Sequence, residues 1–201
     1  MIVPPHRRDH PGRRSLVIVL LILVTLTGCS SGEAGRQRES QFTFSGATAA
    51  GEVIPVDERA PAPAFTGELL NGATFRSATL TGGPALINFW GSWCPPCRLE
   101  TPDLEAVYAA LRDRGVQFLG VDVKDQRQLA SAFVTSNDVQ YPSLFDPRGE
   151  AALAFRGFPA NVVPSTVLLD AQSRVAAVYT GAINQVEARK ALTTLLQETG
   201  S

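Results

Sequence analysis

The chain has 201 residues, of which 44% are hydrophobic, and its formal net charge at neutral pH is −1. This length and apolar content suffice for one domain with a buried core. Because acidic and basic residues nearly balance, the composition offers no basic surface, and we predict that nucleic acid is not a partner.

Residues 1–28 are predicted to be a secretory signal of the lipoprotein type. Arginines precede an uncharged run, Leu16 to Thr27, which is too short for a standard membrane-spanning helix. Small residues and then Cys29 follow, a pattern similar to the bacterial lipobox, in which the cysteine is lipidated and begins the mature chain. The alternative is an ordinary signal peptide with an unrelated cysteine. Arg13-Arg14 leaves a twin-arginine export route open.

Removal of this signal would narrow the chemistry of the mature chain. Both histidines lie within it, which excludes mechanisms that need an imidazole base or ligand. Its loss also removes four arginines and one aspartate, which leaves 14 basic and 18 acidic residues and a net charge of −4. With Cys29 acylated, only Cys94 and Cys97 remain as thiols. A four-cysteine zinc site is then excluded within one chain, and we predict no metal and no cofactor.

Residues 29–60 are predicted to be the lipidated N-terminus and a flexible linker, because their small and polar composition shows no sustained apolar period. A single domain should follow over residues 61–201. We expect it to open with a β-hairpin, in which Phe65–Leu70 and Ala73–Phe75 are joined by an Asn71-Gly72 turn with positive φ at both turn residues.

The rest of the domain alternates strands and helices. An uninterrupted apolar run, Ala85–Trp90, predicts a central strand covered on both faces. The later elements, in chain order, are a helix Pro95–Arg114 kinked at Pro102, a strand Val116–Val123, a helix Gln126–Asn137 with Leu129, Ala132 and Phe133 facing inward, an extended piece Pro142–Phe145, a short helix Glu150–Phe155, strands Val167–Asp170 and Val175–Tyr179, and a helix Gln185–Glu198. This order predicts an α/β fold with a central mixed sheet flanked by helices.

Cys94 and Cys97 enclose two prolines where the central strand gives way to a helix. The same spacing can supply half of a zinc site or a structural disulfide, but the remaining cysteine count favours a redox-active dithiol. Cys94 would be the helix N-cap, with Pro95 at the first helical position, where unpaired N–H groups and the helix dipole stabilise a thiolate. We therefore expect Cys94 to be the exposed attacking thiol with a lowered pKa and Cys97 to be the buried resolving thiol.

Glu100 lies one helical turn after Cys97 and could carry protons for the dithiol, since no histidine is available. The spacing leaves an equal alternative open, in which Glu100 is a solvated surface residue paired with Arg98.

Residues 88–102, which read NFWGSWCPPCRLETP, resemble the active-site segment of the thioredoxin superfamily, specifically its extracytoplasmic TlpA/ResA-like branch. The resemblance extends from about residue 61 to residue 196 and implies a thioredoxin-like fold with an inserted helix and short strand. It also implies that Pro164 is a cis proline facing the dithiol, and that Val163 presents its backbone to an extended substrate. Trp93 and Pro95 complete the implied substrate-binding surface, and Glu100 matches an acid/base glutamate. Asn88 departs from the buried aspartate of cytoplasmic thioredoxins.

The function that follows is a membrane-anchored, extracytoplasmic thiol:disulfide oxidoreductase, lipid-anchored at Cys29. The resemblance implies that it reduces disulfides of an exported client protein, which for some relatives is apocytochrome c, and that an electron-donating membrane thiol-disulfide transporter supplies it. The alternatives are a disulfide oxidant of the DsbE type, a thiol peroxidase with Thr/Ser and Arg around a lone cysteine, and a non-catalytic binding module. The Pro-Pro dipeptide does not fix the redox potential, so the direction of electron flow stays open.

Overall fold

A computed structural model of the chain describes residues 41–159 and 161–200. The predicted signal, residues 1–28, and the predicted lipidation site at Cys29 lie outside the described residues. Among the residues that are described, none of the helices combines the length and the apolar character that crossing a membrane requires.

Seven strands of the described residues form one mixed sheet. The strands are β1 (Thr66–Leu69), β2 (Thr74–Arg76), β3 (Ala85–Trp90), β4 (Gln117–Val123), β5 (Ser143–Asp146), β6 (Ser165–Leu169) and β7 (Val175–Thr180). Their order across the sheet is β2-β1-β5-β4-β3-β6-β7. β3, β4 and β5 run parallel to one another, and the other neighbours pair antiparallel. The predicted mixed sheet of an α/β fold is confirmed.

Four helices connect and cover these strands. They are α1 (Pro95–Leu111), α2 (Arg127–Ser136), α3 (Glu150–Ala154) and α4 (Gln185–Glu198). α1 runs continuously through Pro102 and ends three residues before the predicted boundary, where a 3-10 turn leads to a left-handed Gly115. α4 begins with a capping box, in which Asn184 and Glu187 satisfy each other's free backbone N–H groups.

Apolar layers cover both faces of the central strand. One layer contains the buried side chains of α1 and α4, and the other contains α3 and the aromatic residues that follow it. All six residues of β3 are buried as a result. The lack of polar alternation in this stretch of sequence therefore reflects its central place in the sheet.

The hairpin of β1 and β2 forms as predicted, but its turn differs. Leu69 donates its N–H to the carbonyl of Ala73, which makes a three-residue loop of Leu70, Asn71 and Gly72. Within this loop only Gly72 has a positive φ, at 87°. Asn71 accepts the N–H of Ala73 on its side-chain oxygen, and this bond closes the loop without a left-handed residue at Asn71.

The prediction of a flexible linker reaching residue 60 is wrong for residues 41–60, which pack against the domain. Phe44 donates its N–H to the carbonyl of Arg156 at 2.7 Å, and Ile54 donates to Ala176 at 2.7 Å. The rings of Phe42 and Phe44 contact those of Phe155 and Phe158. Two isolated aromatic residues in a polar stretch leave no periodic pattern, so the sequence could not show this contact.

Arg59 fixes the end of this segment to the domain. Its buried guanidinium lies 2.6 Å from a carboxylate oxygen of Glu198 and 3.3 Å from one of Asp170. Its Nε also donates to the carbonyl of Ile54 at 2.8 Å. One cation thus joins the N-terminal segment, the β6–β7 hairpin and the end of α4.

Replacing Arg59 by alanine should destabilise the fold by about 3 kcal/mol, because Glu198 loses its cation and the buried Asp170 keeps only its pair with Arg174. Urea unfolding at neutral pH measures this loss. Arg148→Ala is the matched control, since its ion pair with Glu150 is exposed and should add little to stability. Equal stability of Arg59→Ala and the control would contradict the anchoring role.

Candidate active site

Cys94 and Cys97 form a disulfide at the N-terminus of α1. Cys94 is the N-cap residue, and its sulfur accepts the backbone N–H of Cys97 at 3.3 Å. Pro95 occupies the first helical position, where a missing N–H costs no hydrogen bond. β3 ends only four residues earlier, at Trp90, so the central strand delivers the disulfide to the carboxyl edge of the sheet.

The expectation that Cys94 is exposed is wrong for the disulfide form, because the residue is only 1% exposed. Cys94 and Cys97 belong to an apolar cluster with Trp90, Ala130 and Phe133. α2 supplies the last two of these residues and covers the disulfide from one side. The residues of the motif that face the solvent are Trp93, which is 48% exposed, and the two prolines.

α2 contacts the disulfide through a face that matches the predicted one only at Phe133. Ala130 and Phe133 point inward, whereas Leu129 is 51% exposed and Ala132 is also exposed. The ring of Phe133 stacks on Trp90 with a centroid distance of 4.8 Å. A helix of only ten residues offers several plausible apolar faces, and packing on Trp90 selects among them.

The loop between β3 and Cys94 is held by hydrogen bonds on both sides. Ser92 donates its N–H to the Asp125 carboxylate at 2.6 Å, and its carbonyl accepts two bonds from Arg98, at 2.6 and 3.1 Å. The indole of Trp93 donates to the carbonyl of Val123 at 3.1 Å. A side chain at Gly91 would come within 2.5 Å of this indole, so the close approach requires glycine. Neither Asp125 nor Ser92 stood out in the sequence.

The resemblance implied that Pro164 is a cis proline, and the Val163–Pro164 peptide bond is cis. Val163 packs against the same apolar cluster as the two cysteines, while Pro164 is buried at the start of β6. The preceding Val162 is partly exposed next to them. Val163 is thus an apolar side chain packed near the disulfide, and Trp93 is an exposed one next to Cys94 in the chain.

Glu100 is buried on the inner side of α1, at 3% exposure. Its carboxylate accepts one bond from the Asn88 side chain at 2.9 Å and one from the N–H of Ile183 at 3.1 Å. Burial raises the pKa of Glu100 to about 7, and these two hydrogen bonds only partly oppose the shift. Arg98 is bonded to Ser92 instead, so the alternative of a solvated Glu100 paired with Arg98 is wrong. Asn88, which stands where cytoplasmic thioredoxins have a buried aspartate, is thus a hydrogen-bond partner of Glu100.

No group of three or more His, Cys, Asp or Glu side chains that could hold a metal occurs within residues 41–159 and 161–200. The titratable side chains buried at the start of α1 are those of the Cys94–Cys97 pair and of Glu100.

Comparison with known proteins agrees with this chemistry. Residues 59–178 match the AhpC/TSA family. The chain is 29% identical to the thiol-disulfide oxidoreductase ResA of Bacillus subtilis (strain 168) over 72% of this chain and 78% of that protein. It is 35% identical to the thiol:disulfide interchange protein DsbE of Pseudomonas aeruginosa over 60% of this chain and 64% of that protein.

Two solved structures are similar over nearly their whole length. A DsbF homologue from Corynebacterium diphtheriae has a TM-score of 0.71 and 34% identity, and the match covers 77% of this chain and 99% of that one. A secreted thiol-disulfide isomerase from Corynebacterium glutamicum has a TM-score of 0.73 and 31% identity, with 78% and 98% covered. The thioredoxin-like fold that the resemblance implied is confirmed.

The raised pKa of Glu100 should appear as a dependence of stability on pH. The folded state holds the proton more tightly than the unfolded state, so the stabilisation is complete below about pH 4.5 and is lost as the pH rises to about 7. Other buried carboxyls titrate equally in both proteins, so Glu100→Gln should reduce this loss by on the order of 3 kcal/mol. Urea unfolding across this pH range measures it.

Glu150→Gln is the control, because the side chain of Glu150 is exposed and its removal should leave the pH dependence unchanged. If Glu100→Gln loses as much stability with rising pH as the unmodified chain, the carboxyl is not held in its neutral form by burial.

Proposed function

The chain belongs to the AhpC/TSA family and is a thiol-disulfide oxidoreductase of the ResA/DsbE type, and from that premise we propose that it reduces disulfides of exported proteins while anchored to a membrane. The observation that carries this proposal is the Cys94–Cys97 disulfide at a helix N-terminus, with a buried Glu100 one turn further on. That arrangement holds both thiols and a proton carrier within one helical segment.

The proposed reaction runs in two exchange steps. The Cys94 thiolate attacks one sulfur of the client disulfide, a mixed disulfide forms, and the first client thiolate leaves and takes up a proton. Cys97 then loses its proton and attacks the Cys94 sulfur, and the second client thiolate leaves and is protonated. Two electrons and two protons pass to the client, and the Cys94–Cys97 disulfide is formed.

The N-cap position supports Cys94 as the attacking thiol. Its sulfur already accepts the N–H of Cys97, and the free N–H groups of the first turn favour a negative charge there. Cys97 is fully buried and suits the resolving step, which occurs within the protein. The exposed Trp93 and Pro95, with Val163 on the opposite side, would form the surface on which the client segment lies.

Glu100 would take the proton that Cys97 releases in the second step. A carboxyl with a pKa of about 7 can both accept and return a proton near neutral pH, which an ordinary carboxyl cannot do efficiently. Asn88 and the backbone of Ile183 hold it in place through the cycle. Both histidines lie in the predicted signal, so the mature chain would have no imidazole for this proton transfer and would depend on a carboxyl.

We further propose that Cys29 carries the lipid and that an extracytoplasmic membrane surface is the location. The lipobox-like sequence before Cys29 supports this, as does the secreted relative from Corynebacterium glutamicum. A membrane thiol-disulfide transporter would return electrons to the disulfide. The client would be an exported protein with paired cysteines, and apocytochrome c is the candidate that the resemblance suggests.

The other functions receive less support from the site. A thiol peroxidase would need an arginine free to act at a lone cysteine, whereas Cys94 is paired within one turn and Arg98 is bonded to Ser92. A binding module without catalysis would not need a disulfide at a helix N-terminus. A disulfide oxidant would use the same residues in the reverse direction, so it differs from the reductant only in its potential.

Cysteine variants test the assigned roles. Reduced protein should reduce insulin disulfides, and Cys94→Ser should abolish this activity because no attacking thiolate remains. Cys97→Ser should stall as a mixed disulfide between Cys94 and the client, detectable by non-reducing electrophoresis and mass spectrometry. If Cys94→Ser forms the adduct and Cys97→Ser does not, the roles of the two thiols are reversed.

The redox potential tests the direction. A reductant should equilibrate near the potential of thioredoxin, about −270 mV, whereas an oxidant lies toward about −120 mV. Equilibration of the full chain with a dithiol buffer series, read by quantitative alkylation of Cys94 and Cys97, gives the value. A potential at the oxidising end would contradict the proposed reductase function and favour the DsbE-type oxidant.

A further inference from the structure

Asp122, near the carboxyl end of β4, is buried without a hydrogen-bond donor. The residue is 0% exposed, and neither carboxylate oxygen accepts a bond from any donor in the described part of the chain. Its neighbours in the sheet are Trp90 on β3 and Phe145 on β5. A carboxylate in such surroundings would cost several kcal/mol, so the group is expected to be neutral or to share a proton.

A second carboxyl, that of Asp125, lies within hydrogen-bond reach of Asp122. Two carboxylates at this distance repel each other, and a bond between them requires a proton. Burial and then the charge of Asp125 raise the pKa of Asp122 to about 8, with a smaller contribution from Asp146. Burial opposes the ionisation of Asp125, but hydrogen bonds from Ser92 and Gln126 outweigh it and lower its pKa. A proton between the two carboxyls is therefore held more tightly by Asp122 than by Asp125.

Cations do not compensate this pair. The charged or titratable groups on the surrounding elements are Lys124 beside it, Asp146 on β5, Arg127 on α2, and Arg98, Glu100, Cys94 and Cys97 at the start of α1. Arg127 pairs with Glu68 at 3.0 Å and lies over the ring of Phe145. Arg98 is bonded to the carbonyl of Ser92, and Lys124 is exposed.

The pair is connected to the redox motif through one short bond. Asp125 accepts the N–H of Ser92 at 2.6 Å, two residues before Cys94. The adjacent Val123 carbonyl accepts the indole N–H of Trp93. The end of β4 thus holds the two residues that precede the attacking cysteine, and a change of charge at Asp125 acts directly on them.

We propose that Asp122 and Asp125 share one proton, and that this proton positions the Ser92–Trp93 loop and thereby keeps Cys94 reactive. Asp122 is a positioning residue here, acting through Asp125, and the inference rests on the thiol-disulfide exchange proposed above. When the pair loses its proton, the two carboxylates repel, the Asp125–Ser92 bond weakens, and a second negative charge near the dithiol disfavours the Cys94 thiolate.

The test is the rate of iodoacetamide alkylation of Cys94 against pH, in full chain purified in detergent and carrying Cys97→Ser. In the reference protein, which carries Cys97→Ser alone, the alkylation rate should fall below a single-ionisation curve above about pH 8, because the shared proton is lost there. Asp122→Asn keeps a permanent donor toward Asp125, so its alkylation rate should follow the single-ionisation curve. At about pH 9 it should react at least about threefold faster than the reference protein, and at about pH 6 the two rates should agree within about twofold.

Asp113→Asn is the matched control, because the side chain of Asp113 is 89% exposed and its profile should not change. A rate change for Asp122→Asn that is equal at all pH values would indicate a purely structural role and overturn the proposal. Identical profiles for Asp122→Asn and the reference protein would also overturn it.

Asp125→Asn provides a second route if Asp122→Asn does not fold. An amide at position 125 removes the repelling charge and can donate to Asp122, so Asp122 should ionise at lower pH and the fall of the alkylation rate above about pH 8 should disappear. Alkylation needs no client, so this experiment is independent of the reductase assay. Loss of insulin reduction with the predicted pH profile intact would refute the proposed function alone, and the reverse result would refute the shared proton alone.

Discussion

Burial of the central strand on both faces is the constraint on which the active site depends. β3 has no solvent-facing side, so every side chain that it carries must find its partner inside the protein. Asn88 meets this demand by bonding to Glu100 and Thr166, and Trp90 meets it by stacking on Phe133. The strand thereby fixes Glu100 and the cover of the disulfide before the motif itself begins.

Two buried carboxyls with raised pKa values lie near the dithiol. Glu100 approaches it from α1, and Asp122 lies beyond Trp90 at the end of β4. Their surroundings differ, since Glu100 accepts two hydrogen bonds whereas Asp122 meets another carboxyl. The first can exchange its proton near neutral pH, and the second keeps its proton until the solution is more alkaline. Carboxyls in distinct environments can thus divide work for which many enzymes use histidine.

The sequence predicted the parts of this site that depend on local chemistry. The N-cap position of Cys94, the proline after it and the buried central strand follow from residue type and pattern. The burial of Cys94, the inward face of α2 and the packing of residues 41–60 depend on contacts between distant segments. The role of Asp125 was also out of reach, because an aspartate after a strand is usually a turn residue and its bond to Ser92 spans 33 positions.

The burial of Cys94 affects how readily small thiols in solution can exchange with the disulfide. Cys94 is 1% exposed and packs in one cluster with Phe133 and Val163, so a thiol from solution reaches it only when this packing opens. This packing should therefore slow thiol-disulfide exchange with small thiols in solution, independently of the thermodynamic driving force. A partner that inserts its own apolar side chains can displace these residues and contact the sulfur.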